Sequence, residues 1–198
     1  GTDSLGRDVL SRLIYGARIS LLVGFVAVGI GGVIGTLLGL TAGYFGGLVD
    51  HLIMRLADIQ LGFPFILLAI MVLLVLGSGV LHMVLVLGIG QWVTYARIAR
   101  GETISQREKE YVEAAHSIGM SHVRIMFRSI LPNILAPLIV IASFNVASVI
   151  LAEASLSFLG LGAQQPQPEW GAMTSSGRGY LLSAWWLVTM PGLAIAIV

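Results

Sequence analysis

The chain contains 198 residues, of which 57% are hydrophobic and only 11% are charged, whereas an ordinary soluble domain has about 25% charged residues. The net charge of +1 lacks the basic surplus of a nucleic-acid-binding protein, so we expect no nucleic-acid partner. The absence of cysteine excludes disulfide bonds, thiolate zinc sites and a cysteine nucleophile. The composition therefore predicts an all-α membrane protein that lies in a lipid bilayer.

Five apolar segments approach the length of about 20 residues that a membrane-spanning helix needs. We predict a single transmembrane domain over residues 1–198, folded as a polytopic helical bundle. Because the sequence starts without a methionine and stops within an apolar run, we expect further elements beyond both ends. The predicted spans are residues 19–43, 56–76, 80–96, 131–151 and 181–198.

The first span is predicted to pack closely against another helix. Gly31, Gly35, Gly39 and Gly43 are spaced four residues apart, which places them on one helical face. Small residues on such a face let two helix backbones approach closely in a membrane. Ahead of this span, the apolar spacing over residues 9–17 predicts an amphipathic helix that lies flat on the membrane surface.

The second span predicts an ion pair close to the membrane surface. Pro64 lies within the segment, and the span is long enough only if it begins near Leu56. Such a start leaves Asp58 near the interface, three residues after Arg55. Side chains three apart on a helix are neighbours, and an ion pair offsets the cost of a charge near lipid. We therefore predict an interfacial pair of Arg55 and Asp58, with anchoring of the helix start favoured over a role in gating.

The connection over residues 97–130 carries six of the 11 basic residues of the chain. Short loops rich in lysine and arginine stay on the cytoplasmic side of a membrane. This connection is therefore predicted to be cytoplasmic, and residues 152–180 are predicted to form an outer loop. Glu153, at the end of the fourth span, is then expected as a helix-end carboxylate that contacts water, with a contact to solute as the alternative.

The cytoplasmic connection predicts two helices that are separated by a glycine turn. The first is expected to span residues 102–118 and to stop at Gly119, since glycine favours the position after a helix end. The second is expected to begin after Ser121 as its cap and to end at Leu131 and Pro132. A narrow face of the first helix comprises Tyr111, Ala114, Ala115 and Ile118.

This connection resembles the EAA loop in the membrane subunits of bacterial ABC-type importers. Glu-Ala-Ala at residues 113–115, a glycine after three further residues and a distal Leu-Pro pair occur together, although Ser129 stands where that family has isoleucine. The resemblance implies the helical bundle of the ABC importer permease (MetI-like) type and a coupling helix that binds in a cleft of an ATPase subunit. The residues it assigns to ATPase coupling are Tyr111, Glu113, Ala114, Ala115, Gly119, Leu131 and Pro132.

Further segments narrow the resemblance to one branch of that family. Residues 156–171, with Leu-Ser-Phe-Leu-Gly-Leu-Gly followed by Pro166 and Glu-Trp-Gly, are similar to the outer loop of dipeptide, oligopeptide and nickel permeases. Residues 1–12 and 43–47 are similar to the C-type permease subunit of the same branch. Gln165 stands where that subunit usually has a second proline, so this loop is expected to be less stiff.

The resemblance implies a larger assembly around this chain. It comprises a homologous second permease subunit, two cytoplasmic ATPase subunits that bind ATP and Mg²⁺, and an extracytoplasmic solute-binding protein. The chain would form half of a translocation pathway in the cytoplasmic (inner) membrane of a bacterium or archaeon, with a sixth span upstream. The solute stays open among dipeptides, longer peptides, glutathione-like thiols and nickel complexes.

Other kinds of chemistry have weaker support in the sequence. The only lysine, Lys109, follows Glu108, so the chain lacks a P-loop, and we expect a transport subunit without a cofactor or catalytic residue of its own. The four histidines lack metal-ligand spacing. An ion-coupled secondary transporter is the first alternative, although no ladder of intramembrane charges occurs. An intramembrane serine protease is the second and would use Ser78 and His82, although Gly-Ser-Gly is typical of a turn.

Overall fold

Long apolar runs fold as helices because a helix satisfies its backbone hydrogen bonds within its own segment. The computed structural model describes residues 1–162 and 167–198, and these residues contain helices and no β-strand. The helices are α1 (Val9–Phe45), α2 (Gly47–Leu61), α3 (Phe65–Leu76), α4 (Val80–Arg107), α5 (Glu110–Ser117), α6 (His122–Arg124), α7 (Leu131–Phe158), α8 (Trp170–Gly177) and α9 (Trp186–Ile197). A π-helical segment, Ile125–Ile130, joins α6 to α7, and a 3₁₀ turn, Arg178–Tyr180, follows α8.

Three continuous helical segments in the described residues are long and apolar enough to cross a membrane. Each contains one of the predicted spans, so the chain is a multi-pass membrane protein. The amphipathic residues 9–17 do not form a separate surface helix, because α1 runs without interruption from Val9 to Phe45. The three segments are Val9–Phe45, Val80–Arg107 and His122–Phe158.

The predicted span over residues 56–76 is not one straight helix. α2 ends at Leu61, α3 begins at Phe65, and their axes are bent by 85°. Pro64 explains this break, since proline has no N–H for the helix and disfavours helical backbone in the residue before it. The described residues hold three segments of spanning length, or four if the bent pair is one span, whereas the sequence predicted five.

The last predicted span, residues 181–198, is helical only from Trp186. α9 has 12 residues, and residues 181–185 before it lie mainly in turns. The helix therefore begins later than the sequence predicted.

The chain divides into two compact units. The first comprises residues 1–28, 66–88 and 145–198, and the second comprises residues 29–65 and 89–144. Helices α1, α4 and α7 each contribute residues to both units.

An apolar core in the first unit joins the start of α1 to α8 and α9. Its buried members are Val9, Met173 and Leu187. α8 and α9 approach closely at Gly177, where an added Cβ would lie 2.9 Å from backbone atoms of Leu187. Trp170 Nε1 donates a hydrogen bond to the Leu13 carbonyl oxygen at 2.9 Å, which ties the start of α8 to α1.

In the second unit, α1 and α4 approach each other at backbone distance. Cβ atoms added at Gly35 and Gly39 would collide with the carbonyl oxygens of Trp92 and Ala96 on α4. A Cβ added at Gly43 would lie 2.7 Å from another carbonyl oxygen of α4. The predicted close packing is therefore confirmed at these three glycines, because a larger side chain at any of them would separate the helices.

We expect Gly39→Ala to lower the free energy of unfolding by about 1–3 kcal/mol, because its methyl group would force α1 and α4 apart. The thermal unfolding midpoint of the purified protein in detergent measures the effect. Gly29→Ala is the matched control on the same helix, since a Cβ added there meets no atom of another segment within 4 Å. Equal midpoints for the two variants would contradict the close approach of the two helices.

Candidate functional site

The predicted first helix of the basic connection is interrupted. α4 ends at Arg107, and α5 begins at Glu110 after a two-residue turn. Arg107 donates to carbonyl oxygens at the end of α1, and the Tyr111 hydroxyl donates to Gln106 Oε1 at 2.9 Å. Partial burial raises the pKa of Tyr111 above its ordinary value, so this hydroxyl stays protonated as a donor. The continuous helix expected over residues 102–118 is wrong, since the turn at residues 108 and 109 separates α4 from α5.

α5 ends in the glycine turn that the sequence predicts. Gly119 has a φ of 76°, a left-handed conformation that glycine adopts without the steric cost of a Cβ. Its N–H donates to the His116 carbonyl oxygen at 2.9 Å, and the Met120 N–H donates to the Ala115 carbonyl oxygen at 3.1 Å. These two bonds form a Schellman motif, which confirms Gly119 as the residue that follows the helix end.

α5 buries one side and exposes the other. Its buried residues are Val112 and Ala115, and the helix packs against the π-helical segment. Glu113 and Ala114 are exposed, and Ile118 is 78% exposed. The predicted face of small residues is therefore divided, because Ala115 belongs to the inner side. The outer side presents a small alanine next to a carboxylate and an unburied isoleucine, a surface that a partner could approach closely.

The second predicted helix does not stop at Leu131 and Pro132. Helical backbone continues from His122 to Phe158, a segment of 37 residues. Within the π-helical part, the Leu131 N–H donates to the Met126 carbonyl oxygen, five residues back. Where the hydrogen bonds change from the π-helical to the α-helical pattern, carbonyl oxygens are left without a backbone N–H partner. Pro132, which has no N–H, therefore fits there with little further loss of hydrogen bonds.

The start of this segment also differs in one detail. Ser121 occupies the cap position, as predicted, but its hydroxyl makes no capping hydrogen bond. The helix begins instead with a backbone bond from the Ile125 N–H to the Ser121 carbonyl oxygen at 3.0 Å. The turn at Gly119 therefore connects α5 to a continuous helical segment that is long enough to span a membrane.

Two ion pairs hold α2 against α4 in the second unit. Arg97 pairs with Asp58 at 2.6 Å, and Arg100 forms two hydrogen bonds with Asp50. The predicted pair of Arg55 and Asp58 is therefore wrong, because Asp58 binds an arginine of the neighbouring helix instead. Side chains of Arg97 and Asp58 are 50% and 55% exposed, and such a pair contributes at most about 1 kcal/mol. The pair of Arg100 and Asp50 has two bonds and a less exposed carboxylate.

Local sequence patterns do not indicate the acidic cluster that is buried in the first unit. Glu153, expected to contact water, is completely buried on α7, and so is Glu169, the residue before α8. The Ser20 hydroxyl lies 3.5 Å from Glu153 Oε1, and the Ser157 hydroxyl donates to Glu169 Oε1. This burial results from the packing of α1, α7 and α8, and sequence spacing carries no signal for it.

The remaining hypotheses from the sequence concern a serine protease, a metal site and the outer-loop pattern. Nδ1 of His82 donates to the Gly77 carbonyl oxygen at 3.0 Å, which is a bond within the turn before α4. Among the described residues, no group of three His, Asp or Glu side chains could hold a metal ion. Gln165 and Pro166 of the predicted outer-loop pattern lie outside the described residues.

Comparison with known sequences identifies relatives along most of this chain. A family model described as "Binding-protein-dependent transport system inner membrane component" matches residues 35–198. The dipeptide transport system permease protein DppC of Alkalihalophilus pseudofirmus is 48% identical over 198 residues, which is 100% of this chain and 65% of the relative. The glutathione transport system permease protein GsiD of Pectobacterium atrosepticum is 45% identical over 195 residues, 98% of this chain and 65% of the relative. The chain thus spans about two thirds of the length of these relatives, whose names confirm the resemblance to the peptide branch.

Comparison with solved structures confirms the fold. The methionine ABC transporter MetNI, in an inward-facing conformation, matches with a TM-score of 0.76 and 19% identity, over 95% of this chain and 89% of that chain. An amino acid ABC transporter with histidines matches with a TM-score of 0.65 and 19% identity, over 95% of this chain and 86% of that chain. The predicted helical bundle of this permease type is therefore the fold of the chain.

We expect Gly119→Ala to loosen α5 locally, because alanine in the left-handed conformation costs about 1–2 kcal/mol. Hydrogen exchange at the amides of α5 should then accelerate by roughly five- to thirtyfold in the purified protein. Gly101→Ala on α4 is the matched control, since a Cβ added at either position meets no atom within 4 Å and only Gly119 has a positive φ. Unchanged exchange in Gly119→Ala would show that the turn does not depend on glycine.

Proposed function

Because this chain belongs to the family of binding-protein-dependent transport system inner membrane components, we propose that it is a membrane-spanning permease subunit of an ATP-driven importer. It forms half of a translocation pathway for peptides or related small solutes. A homologous second permease subunit supplies the other half, two cytoplasmic ATPase subunits bind ATP and Mg²⁺, and an extracytoplasmic binding protein delivers the solute. The chain itself is a transport subunit and hydrolyses no ATP.

The outer side of α5 is the observation that carries this proposal. Glu113 and Ala114 are exposed on a helix whose opposite side is buried through Val112 and Ala115. A helix that is anchored on one side and presents an alanine on the other can enter a cleft without moving its own support. We assign this surface to docking with an ATPase subunit, together with Tyr111 and the Gly119 turn.

The charge distribution supports a cytoplasmic position for α5. Six of the 11 basic residues lie in residues 97–130, and loops rich in lysine and arginine stay on the cytoplasmic side. A membrane subunit that meets cytoplasmic ATPases must expose its docking surface there. The orientation and the exposed surface thus both support docking with a cytoplasmic ATPase subunit. The chain itself lies in the inner membrane of a bacterium or archaeon.

Coupling follows from the way α5 is connected. Closure of the two ATPase subunits on ATP displaces the docked helix, and the Schellman turn at Gly119 limits how far α5 can move separately from the next helix. That next helix continues from His122 to Phe158, through Leu131 and Pro132. A displacement at α5 therefore becomes a shift of a spanning helix, which switches the pathway between inward and outward access.

Short peptides are the solute class that the relatives favour. The names of these relatives specify dipeptides and glutathione, which is itself a small peptide. The proposed solute is therefore a peptide of two or three residues, and a dipeptide is the probe for the first transport assay.

We expect Ala114→Phe to lower ATP-driven uptake about tenfold or more, because a large ring on the outer side of α5 prevents close docking. The assay uses the full transporter in lipid vesicles, with a radiolabelled dipeptide, the binding protein and ATP. Ala136→Phe is the control, since Ala136 is also exposed but lies on α7 outside the docking surface. Its uptake should remain close to the wild-type rate.

Two results would contradict the proposed function. Equal uptake by Ala114→Phe and the wild type would show that the outer side of α5 is not the docking surface. Uptake that survives ATP depletion but collapses with the proton gradient would identify an ion-coupled secondary transporter. Co-purification of the tagged chain with ATPase subunits, reduced in Ala114→Phe, provides an independent measurement of the same contact.

A further inference from the structure

The end of α1 contacts the turn after α5 through one buried tyrosine. Tyr44 is 6% exposed, and its hydroxyl lies 2.8 Å from His122 Nδ1 and 3.3 Å from His116 Nε2. His116 is in the last turn of α5, and His122 is the first residue of α6, with Gly119 between them. One side chain of α1 therefore contacts both arms of the glycine turn.

The single hydrogen of the tyrosine hydroxyl limits how both contacts can form. The hydroxyl can donate to only one imidazole nitrogen at a time, so it accepts an N–H from at least one of the two histidines. At least one ring therefore carries a hydrogen on the nitrogen that faces Tyr44. The rings are in contact as well, since Tyr44 and His116 lie within 17° of parallel, and the ring of Phe45 meets His122 edge-on.

The backbone next to Tyr44 is held as well. Arg107, the last residue of α4, donates from Nη1 to the carbonyl oxygens of Tyr44 at 3.0 Å and Gly43 at 3.3 Å. Carbonyl groups in the last turn of a helix lack partners within the helix, so the guanidinium satisfies them and interacts favourably with the helix end. Tyr44 is therefore fixed to α4 through its backbone and to α5 and α6 through its side chain.

From this arrangement we propose that Tyr44 is a positioning residue for coupling, which holds α5 in a defined place relative to α1 and α4. The inference rests on the proposed function and adds a second connection to it. A displacement of α5 reaches the end of α1 directly, in addition to the path along the helix from His122 to Phe158. The ring of Tyr44 contacts both histidine rings, and its hydroxyl supplies the hydrogen bonds to both.

The test uses Tyr44→Phe, which removes the hydroxyl and keeps the ring. In the full transporter in vesicles, with a radiolabelled dipeptide, we expect kcat for uptake to fall about tenfold, as expected for a lost buried hydrogen bond. KM for ATP and for the dipeptide-loaded binding protein should stay within about twofold, because Tyr44 is buried and presents little surface to either ligand. ATP hydrolysed per dipeptide should rise. Tyr15→Phe is the matched control on α1, since Tyr15 is 61% exposed.

Variants of His122 separate positioning from simple packing. Asparagine can place an amide group where Nδ1 of histidine lies, whereas leucine fills the space without a polar atom. We expect His122→Leu to reproduce the low kcat of Tyr44→Phe and His122→Asn to restore most of it. The double variant Tyr44→Phe, His122→Leu should be no slower than Tyr44→Phe, because Tyr44→Phe already removes the bond that His122→Leu removes.

The outcomes are distinguishable. Wild-type kcat and a wild-type ratio of ATP to dipeptide in Tyr44→Phe would overturn the inference, while Ala114→Phe still tests α5. Less assembled transporter without a change in kcat per complex, or no difference between His122→Asn and His122→Leu, would show a purely structural role and also overturn it. If the wild-type transporter shows no ATP-driven uptake, the proposed function itself fails.

Discussion

The close approach of α1 and α4 is the interaction on which the second unit depends. At Gly35, Gly39 and Gly43 the absence of a side chain lets α1 reach the backbone of α4. Without a hydrophobic driving force between helices in lipid, such van der Waals packing is the main source of helix association. The same approach brings Arg107, at the end of α4, to the carbonyl groups at the end of α1.

Polar side chains also hold the helices of the second unit together. Trp92 Nε1 on α4 donates to Gln60 Oε1 at 2.6 Å, and Gln60 Nε2 donates to the Gly90 carbonyl oxygen at 2.8 Å, which fixes the end of α2 on α4. α5 is attached to the same unit through its buried side and through Tyr44. The proposed docking helix therefore rests on a packed support within this unit.

Much of the fold follows from local patterns. Apolar runs of sufficient length predicted the helices around residues 19–43, 80–96 and 131–151, because a helix satisfies its backbone hydrogen bonds within its own segment, as a membrane requires. Gly119 was identifiable as a helix end because few residues other than glycine adopt a positive φ there without strain. The motif in the basic connection led to the permease family, which the relatives confirm.

The sequence by itself determined that the long apolar runs are helical, that Gly119 follows a helix end and to which family the chain belongs, since these depend on local backbone chemistry and on motifs. Only the tertiary structure decided which partner Asp58 takes, that Glu153 is buried and that Tyr44 contacts two histidines. These contacts join residues far apart in the chain. Their geometry depends on how whole helices pack, because spacing along a single helix constrains only the neighbours on that helix.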